Sequence, residues 1–165
     1  MHDSDEDPAW TTAMHEAGHI VTSMHWGVPV VAATIIPTGD DGGSVTHEPV
    51  VDYFDWDNKE SYCRELAIRE IAICYAGAIA GGSDNGDHTD LEITAEAVRN
   101  YIDDSGVDLT DEQELELRDE AWTRADEVIL TQGAIVERYA IALLRHKTLT
   151  EKQIRRIWLT ATKPK

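Results

Sequence analysis

His15-Glu16-Ala17-Gly18-His19 lies near the front of a segment, residues 9–26, in which Trp10, Met14, Ala17, Val21 and Met24 recur at helical intervals. That spacing predicts an amphipathic helix with an apolar face. On such a helix the two histidines, at i and i+4, fall about 40° apart, so both imidazoles project from one face a turn apart. This is a metal-chelating geometry. Glu16 follows the first histidine, where it can reach a water on the metal without ligating the metal itself. In the H-E-x-x-H pattern this glutamate is the general base of a zinc peptidase. The competing reading is a pair of surface histidines on a helix.

Working outward, Gly27 suits a helix C′ position and Pro29 bars continuation. Residues 30–36 are rich in β-branched side chains and stop at Pro37, which predicts a strand. Residues 43–47 predict a second, and the turn at 38–42 joins them as a hairpin. An aromatic and acidic loop follows, Tyr53-Phe54-Asp55-Trp56. It is read as aromatics folded onto the core under an acidic rim, with a substrate-facing lid as the alternative. A second helix is expected over 58–80, almost wholly apolar after Glu70 and therefore the buried centre. Past a flexible turn at 81–87, capping-box patterns at Thr89 to Glu92, Thr110 to Gln113 and Thr150 to Gln153 open three more helices. They are expected to end near Asp103, near Arg145 with a bend at Gly133, and before Pro164. The fold class is thus mainly α (α+β), with a small β-hairpin.

At 165 residues the chain suits one domain, 9–165, behind a flexible acidic lead-in, 1–8. Asp and Glu number 32 against 14 Lys and Arg, a formal charge of -18. That repels nucleic acid and anionic lipid, and argues against both as partners. Cys63 and Cys74 lie eleven apart on one predicted helix, roughly 16 Å, too far to bridge. With no signal-like opening and no apolar run long enough to span a bilayer, a cytoplasmic location is expected.

A catalytic zinc keeps three protein ligands and one open position, so a third donor is required. Asp84, Asp87, His88, Asp90 and Glu92 cluster at the start of the third helix. Asp90 also has a purely structural explanation there, because a carboxylate in a first helical turn complements the macrodipole. The residues alone leave ligand and cap open. Of the other histidines, His25, His47 and His146 have no motif context and are read as surface or satisfied core residues, and His2 as incidental.

Three separated blocks resemble the peptidase domain of the FtsH-type ATP-dependent zinc metalloproteases. They are Thr12-Ala13-Met14-His15-Glu16-Ala17-Gly18-His19 with the following Thr34-Ile35-Ile36-Pro37-Thr38-Gly39; Asp90-Leu91-Glu92-Ile93-Thr94; and Ala142 to Thr150. The resemblance implies a zincin-like fold with zinc as cofactor. It implies His15, His19 and Asp90 as ligands and Glu16 as the base, the second block matching the family's N-D-L-x-x-A-T segment. Three departures stand out. The chain contains no G-x-x-x-x-G-K-[ST] loop, so the family's ATPase module is not in it, and no transmembrane anchor precedes the motif. Ala76-Gly77-Ala78-Ile79-Ala80-Gly81-Gly82 replaces the family's A-G-R-x-A-E-E, which puts its hexameric ring in doubt. Thr38 replaces an arginine common after the strand-ending proline.

The expected function is a zinc metalloendopeptidase that cuts unfolded proteins or peptides without an ATPase of its own. Residues 30–36 are expected to offer a free strand edge for the substrate to join, with an edge covered by the loop at 52–57 as the alternative. A homo-oligomer and a separate ATPase partner both stay open. The alternative function is a non-catalytic zinc-binding or adaptor domain, against which Glu16 argues, since a structural site has no use for a base.

Overall fold

In a computed structural model the described residues are 7–39, 42–50, 59–82 and 88–163, with the side chains of His88 and Thr89 excluded. The expectations for the lead-in 1–6, the aromatic loop and the turn at 83–87 fall outside them. The chain is mainly helical, with a small antiparallel sheet.

Helix α1 spans Pro8–His25. Asp7 caps it, accepting from the Ala9 N–H at 3.0 Å, and Pro8 occupies the first helical position, where a missing N–H costs nothing. Gly27 follows with φ +76°, the left-handed conformation that ends helices and favours glycine. Strands β1, Val30–Thr34, and β2, Ser44–His47, form the expected hairpin, with Thr34 opposite Ser44. Helices α2, Lys59–Gly81, and α3, His88–Ser105, come next. Cys63 and Cys74 are both buried free thiols on α2.

Helix α4, Asp111–His146, runs unbroken through Gly133. Its N-terminus carries a complete capping box. Thr110 Oγ1 accepts from the Gln113 N–H, and the Gln113 side chain accepts from the Thr110 N–H. Lys147 then takes φ +64° and turns the chain into β3, Thr148–Thr150, which leads directly to α5, Glu151–Ala161.

The sheet corrects one expectation. Its order is β2-β1-β3, and β1 pairs with β3 through Ala32–Thr150, Ala33–Leu149 and Thr34–Thr148. Both edges of β1 are therefore occupied, and it cannot accept a peptide strand. The end strand on the hairpin side is β2. Thr148-Leu149-Thr150 is short enough to read as a cap for the next helix, which is why a third strand was not expected there.

Most of the apolar half of α2 is buried as expected, at Ile71–Cys74 and Ala76–Ala78, with Tyr75 half-buried between them. It is the central layer. On one side α1, the sheet and the C-terminal half of α4 share a core built on Ile20, Val21, Tyr139 and Leu143. On the other, α2 packs with α3 and the N-terminal half of α4 through Ile68, Ile71, Tyr101 and Leu117. Helices α1 and α2 touch at Gly18, where any Cβ would run into the Ala76 carbonyl. That close crossing sets α1's histidines over the surface of α2.

Candidate metal centre

His15 and His19, one turn apart on α1, aim their rings at a common point, with centroids 4.7 Å apart and planes at 82°. Their Nε2 atoms are 3.0 Å from each other. Asp90, in the first turn of α3, places Oδ2 at 3.2 Å from the first Nε2 and 3.4 Å from the second. Three donors held at about 2.0–2.1 Å from a tetrahedral zinc lie roughly 3.3 Å from one another. The observed triangle has that size.

The ring orientation is fixed from behind. His19 Nδ1–H donates to the Ile73 carbonyl of α2 at 2.7 Å, which leaves Nε2 as the atom facing the cluster. The cluster favours positive charge. Burial opposes ionisation of His19, yet the adjacent Asp90, then Glu16 and the Ile73 carbonyl, raise its pKa from 6.5 to about 9. Burial pushes Asp90 the other way, and the two imidazoles outweigh it, holding the carboxyl well below the usual carboxylate range.

Room for the donors is made by a missing side chain. At Gly77, in the interior of α2, a Cβ would run into His19 Nε2 and stand 2.8 Å from His15 Nε2. A helix-interior glycine costs about 1 kcal/mol relative to alanine. Here the bare backbone is what the imidazoles rest on. Gly43, entering β2, does the same for Glu16, since its Cβ would stand 2.6 Å from Glu16 Oε1. The residues present therefore fit a tetrahedral divalent metal.

Glu16 is only 2 % exposed, yet it lines the same cavity of about 330 Å³ as the three donors. Strand β2 contributes Ser44, Val45 and His47 to the wall, while α2 and α3 contribute Ile73, Glu70 and Glu96. Burial, and then the nearby Glu96, push the Glu70 carboxyl upward.

Of the five candidates for third donor, Asp90 is the one among the described residues that joins the histidines. Asp84 and Asp87 lie outside those residues, as does the His88 side chain, and Glu92 is exposed on α3. His25 and His146 are exposed, as expected, whereas His47 is half-buried on the cavity wall with Nδ1–H donating to the Glu48 carbonyl at 2.8 Å. Sequence reasoning missed Gly77, Gly43 and the Ile73 carbonyl. An unexplained glycine inside an apolar helix was the available signal for the first; a backbone carbonyl leaves none.

Three relatives bear on this site. The chain is 25% identical to the ATP-dependent zinc metalloprotease FTSH 11, chloroplastic/mitochondrial, of Arabidopsis thaliana, over 93% of this chain and 22% of that protein. It is 26% identical to the ATP-dependent zinc metalloprotease FtsH of Oenococcus oeni, over 96% of this chain and 27% of that one. It is 24% identical to the ATP-dependent zinc metalloprotease FTSH 9, chloroplastic/mitochondrial, of Oryza sativa subsp. japonica, over 88% and 21%. No protein-family model matches the chain. The chain is thus distantly similar to zinc metalloproteases along most of its length, and spans about a quarter of theirs.

Proposed function

We propose that residues 9–165 form a zinc metalloendopeptidase domain that hydrolyses peptide bonds in extended chains. The observation that carries this reading is the triangle of His15, His19 and Asp90 with a buried carboxylate, Glu16, opening onto the same cavity. The distant likeness to zinc metalloproteases supports it. His15, His19 and Asp90 would hold the metal, which when bound supplies Lewis acidity toward water and the scissile carbonyl.

Glu16 accepts the proton of the attacking water and passes it to the departing amine. Its near-complete burial keeps bulk water from competing for that proton, and Gly43, lacking a side chain, lets the carboxylate stand close against the backbone entering β2. The Ile73 carbonyl holds the His19 ring in one tautomer and one orientation throughout. Substrate is bound along β2, the sheet's end strand and a wall of the cavity, through main-chain hydrogen bonds that are indifferent to side-chain identity. The Glu70 and Glu96 wall disfavours acidic side chains.

Metal analysis combined with cleavage of an unfolded, casein-like chain tests the proposal. The purified protein should hold about one zinc per chain, and His15→Ala, His19→Ala or Asp90→Ala should each lower it sharply. Glu16→Gln should keep the zinc and lose cleavage by about two to four orders of magnitude, the scale of losing a general base. Equal inertness of wild type and Glu16→Gln on a broad set of unfolded proteins would hand the site to the non-catalytic reading.

A further inference from the structure

The cavity that holds the candidate centre continues past it along α2 as a groove. Its floor passes from Gly77, beneath the imidazoles, through Cys74 and Ile73 to Glu70. One side is β2 from Gly43 to His47, and the other is α3 from Asp90 through Ile93 and Ala97 to Asn100. All three elements start at the centre, since Gly43 abuts Glu16, Gly77 abuts both histidines and Asp90 is the third donor. They also run the same way. Val50, just past β2, packs with Ile73, and Glu96 of α3 stands close enough to Glu70 to act on its charge. At about 1.5 Å per residue, the seven residues from Gly77 back to Glu70 place that carboxyl roughly 10 Å along the groove.

The groove changes character along that length. Its middle is lined by Ile73, Ile93 and Ala97, and its far end by acceptors. Glu70 is half-buried there and forms no ion pair among the described residues, while Glu96 and Asn100 stand on the exposed rim. Arg69, beside it in the chain, is turned instead to Glu65 and the face of Trp26. His47 spends its Nδ1–H on the Glu48 carbonyl, which leaves Nε2 of the neutral ring as an acceptor. Burial, then Glu96, push the Glu70 carboxyl upward, and a cation bound beside it offsets both effects. A metal ion is not that cation, because among the described residues the donors that converge on one point are His15, His19 and Asp90. An apolar stem ending in a charged head matches both halves of the groove, and that is the form of a lysine or arginine side chain.

We propose that this groove is a specificity pocket for a lysine or arginine side chain beside the scissile bond, with Glu70 at its far end as the specificity-determining residue. The proposal rests on the peptidase reading and names the substrate class for it. Pairing along β2 holds a peptide by its backbone without regard to side chains, and the pocket adds the selection. A backbone held at the donors starts a flanking side chain a few ångströms along the groove. The methylenes of the stem then lie against Ile73, Ile93 and Ala97, and the charged head meets Glu70, with Glu96 and Asn100 beside it. This selection differs from the pull of the whole molecule's negative charge. A surface field acts on a basic residue anywhere in the peptide and is screened by salt, whereas a half-buried carboxylate acts at one position and is screened much less.

Binding and cleavage are measured separately, so that the pocket and the peptidase can fail independently. Binding uses the whole chain carrying Glu16→Gln, loaded with zinc, and fluorescent peptides that differ at one position: arginine, its neutral isostere citrulline, leucine or glutamate. The arginine peptide should bind about tenfold or more tighter than the citrulline peptide, at one position of the series, and keep that advantage in about 0.5 M salt. Adding Glu70→Gln should erase the difference, with circular dichroism and zinc content unchanged, and Glu70→Arg should shift the preference to the glutamate peptide. In cleavage of an unfolded, casein-like chain by the wild type, mass spectrometry should place the cuts beside lysine and arginine. Equal binding of the arginine and citrulline peptides overturns the pocket, as does a preference that survives Glu70→Gln or one that follows arginine to every position and vanishes in salt. Cleavage indifferent to basic residues overturns the pocket and leaves the peptidase standing. Selective binding with no cleavage of any peptide by the wild type does the reverse.

Discussion

Gly77 shows how a single absent methyl serves the candidate centre. Helix propensity favours alanine there by about 1 kcal/mol, but the added Cβ would occupy the place of the His19 ring nitrogen. Gly77→Ala should therefore keep its helix content and lose zinc affinity by about 10- to 100-fold, the scale of disturbing the support of a ligand, as read by competition with a chromophoric chelator. Gly133→Ala is the control. A Cβ there meets nothing within 4 Å, so the substitution should raise stability to urea by about 0.5–1 kcal/mol and leave zinc affinity alone. The protonation of the cluster gives a second prediction. His19 has its pKa raised from 6.5 to about 9, so its contribution to the stability of the metal-free protein is complete below 6.5 and lost as pH climbs to 9. Asp90 is depressed from 3.8, so its contribution is present above that value and lost as pH falls below it. The pairing should stabilise the metal-free fold most between these limits, with His19→Asn flattening the alkaline side of the profile. Zinc must displace the His19 proton, so apparent affinity should rise with pH up to about 9 and binding should release protons measurable in a weakly buffered titration.

Helix α4 and its attachments set the stability of the elements that carry the site. Tyr139 is fully buried in α4 and donates its hydroxyl to the Ile154 carbonyl at 2.7 Å, tying α5 and the end of the sheet to the bundle. Tyr139→Phe should cost about 1–2 kcal/mol in urea unfolding, since the partner carbonyl stays buried. Thr110→Ala removes one half of a complete capping box and should cost about 1 kcal/mol. Neither should alter zinc content, because both act on elements that do not line the cavity. Glu65 clamps α2 to α4 differently. Both of its oxygens accept from a single Arg124 nitrogen, Nη1, at 2.8 Å, and Oε1 also accepts from Arg69 on its own helix, while Glu65 itself is nearly buried. Its loss takes a carboxylate partner from both arginines at once, so Glu65→Ala should be more destabilising than Thr110→Ala.

At the scale of the whole molecule, β2 is the end strand of a three-stranded sheet and a wall of the cavity that holds the candidate centre, so the proposed peptidase would take its substrate as an extended backbone. The chain alone should cleave unfolded chains and short peptides with no dependence on ATP and leave a stable folded protein intact. Degradation of the folded protein without an added ATPase would contradict the proposal. In the proposed peptidase, the net charge of -18 should favour neutral or basic peptides, an effect that fades as salt rises. Much of this was legible in the sequence. Helical intervals from Trp10 to Met24, capping boxes at Thr110 and Thr150, and the apolar run after Glu70 are local signals, and local signals set where helices begin, end and bury a face. The i, i+4 spacing of His15 and His19 likewise dictates that their rings share a face, whatever surrounds them. Which carboxylate meets those rings could not be read the same way. Asp90 is far from His15 in the chain, and cap and ligand look alike until α2 and α3 pack against α1. The position of β3 between the hairpin and α5, which closes the edge of β1, and the bare patch at Gly77 are decided by that packing too, because contacts between distant segments leave no periodicity in the sequence of either one.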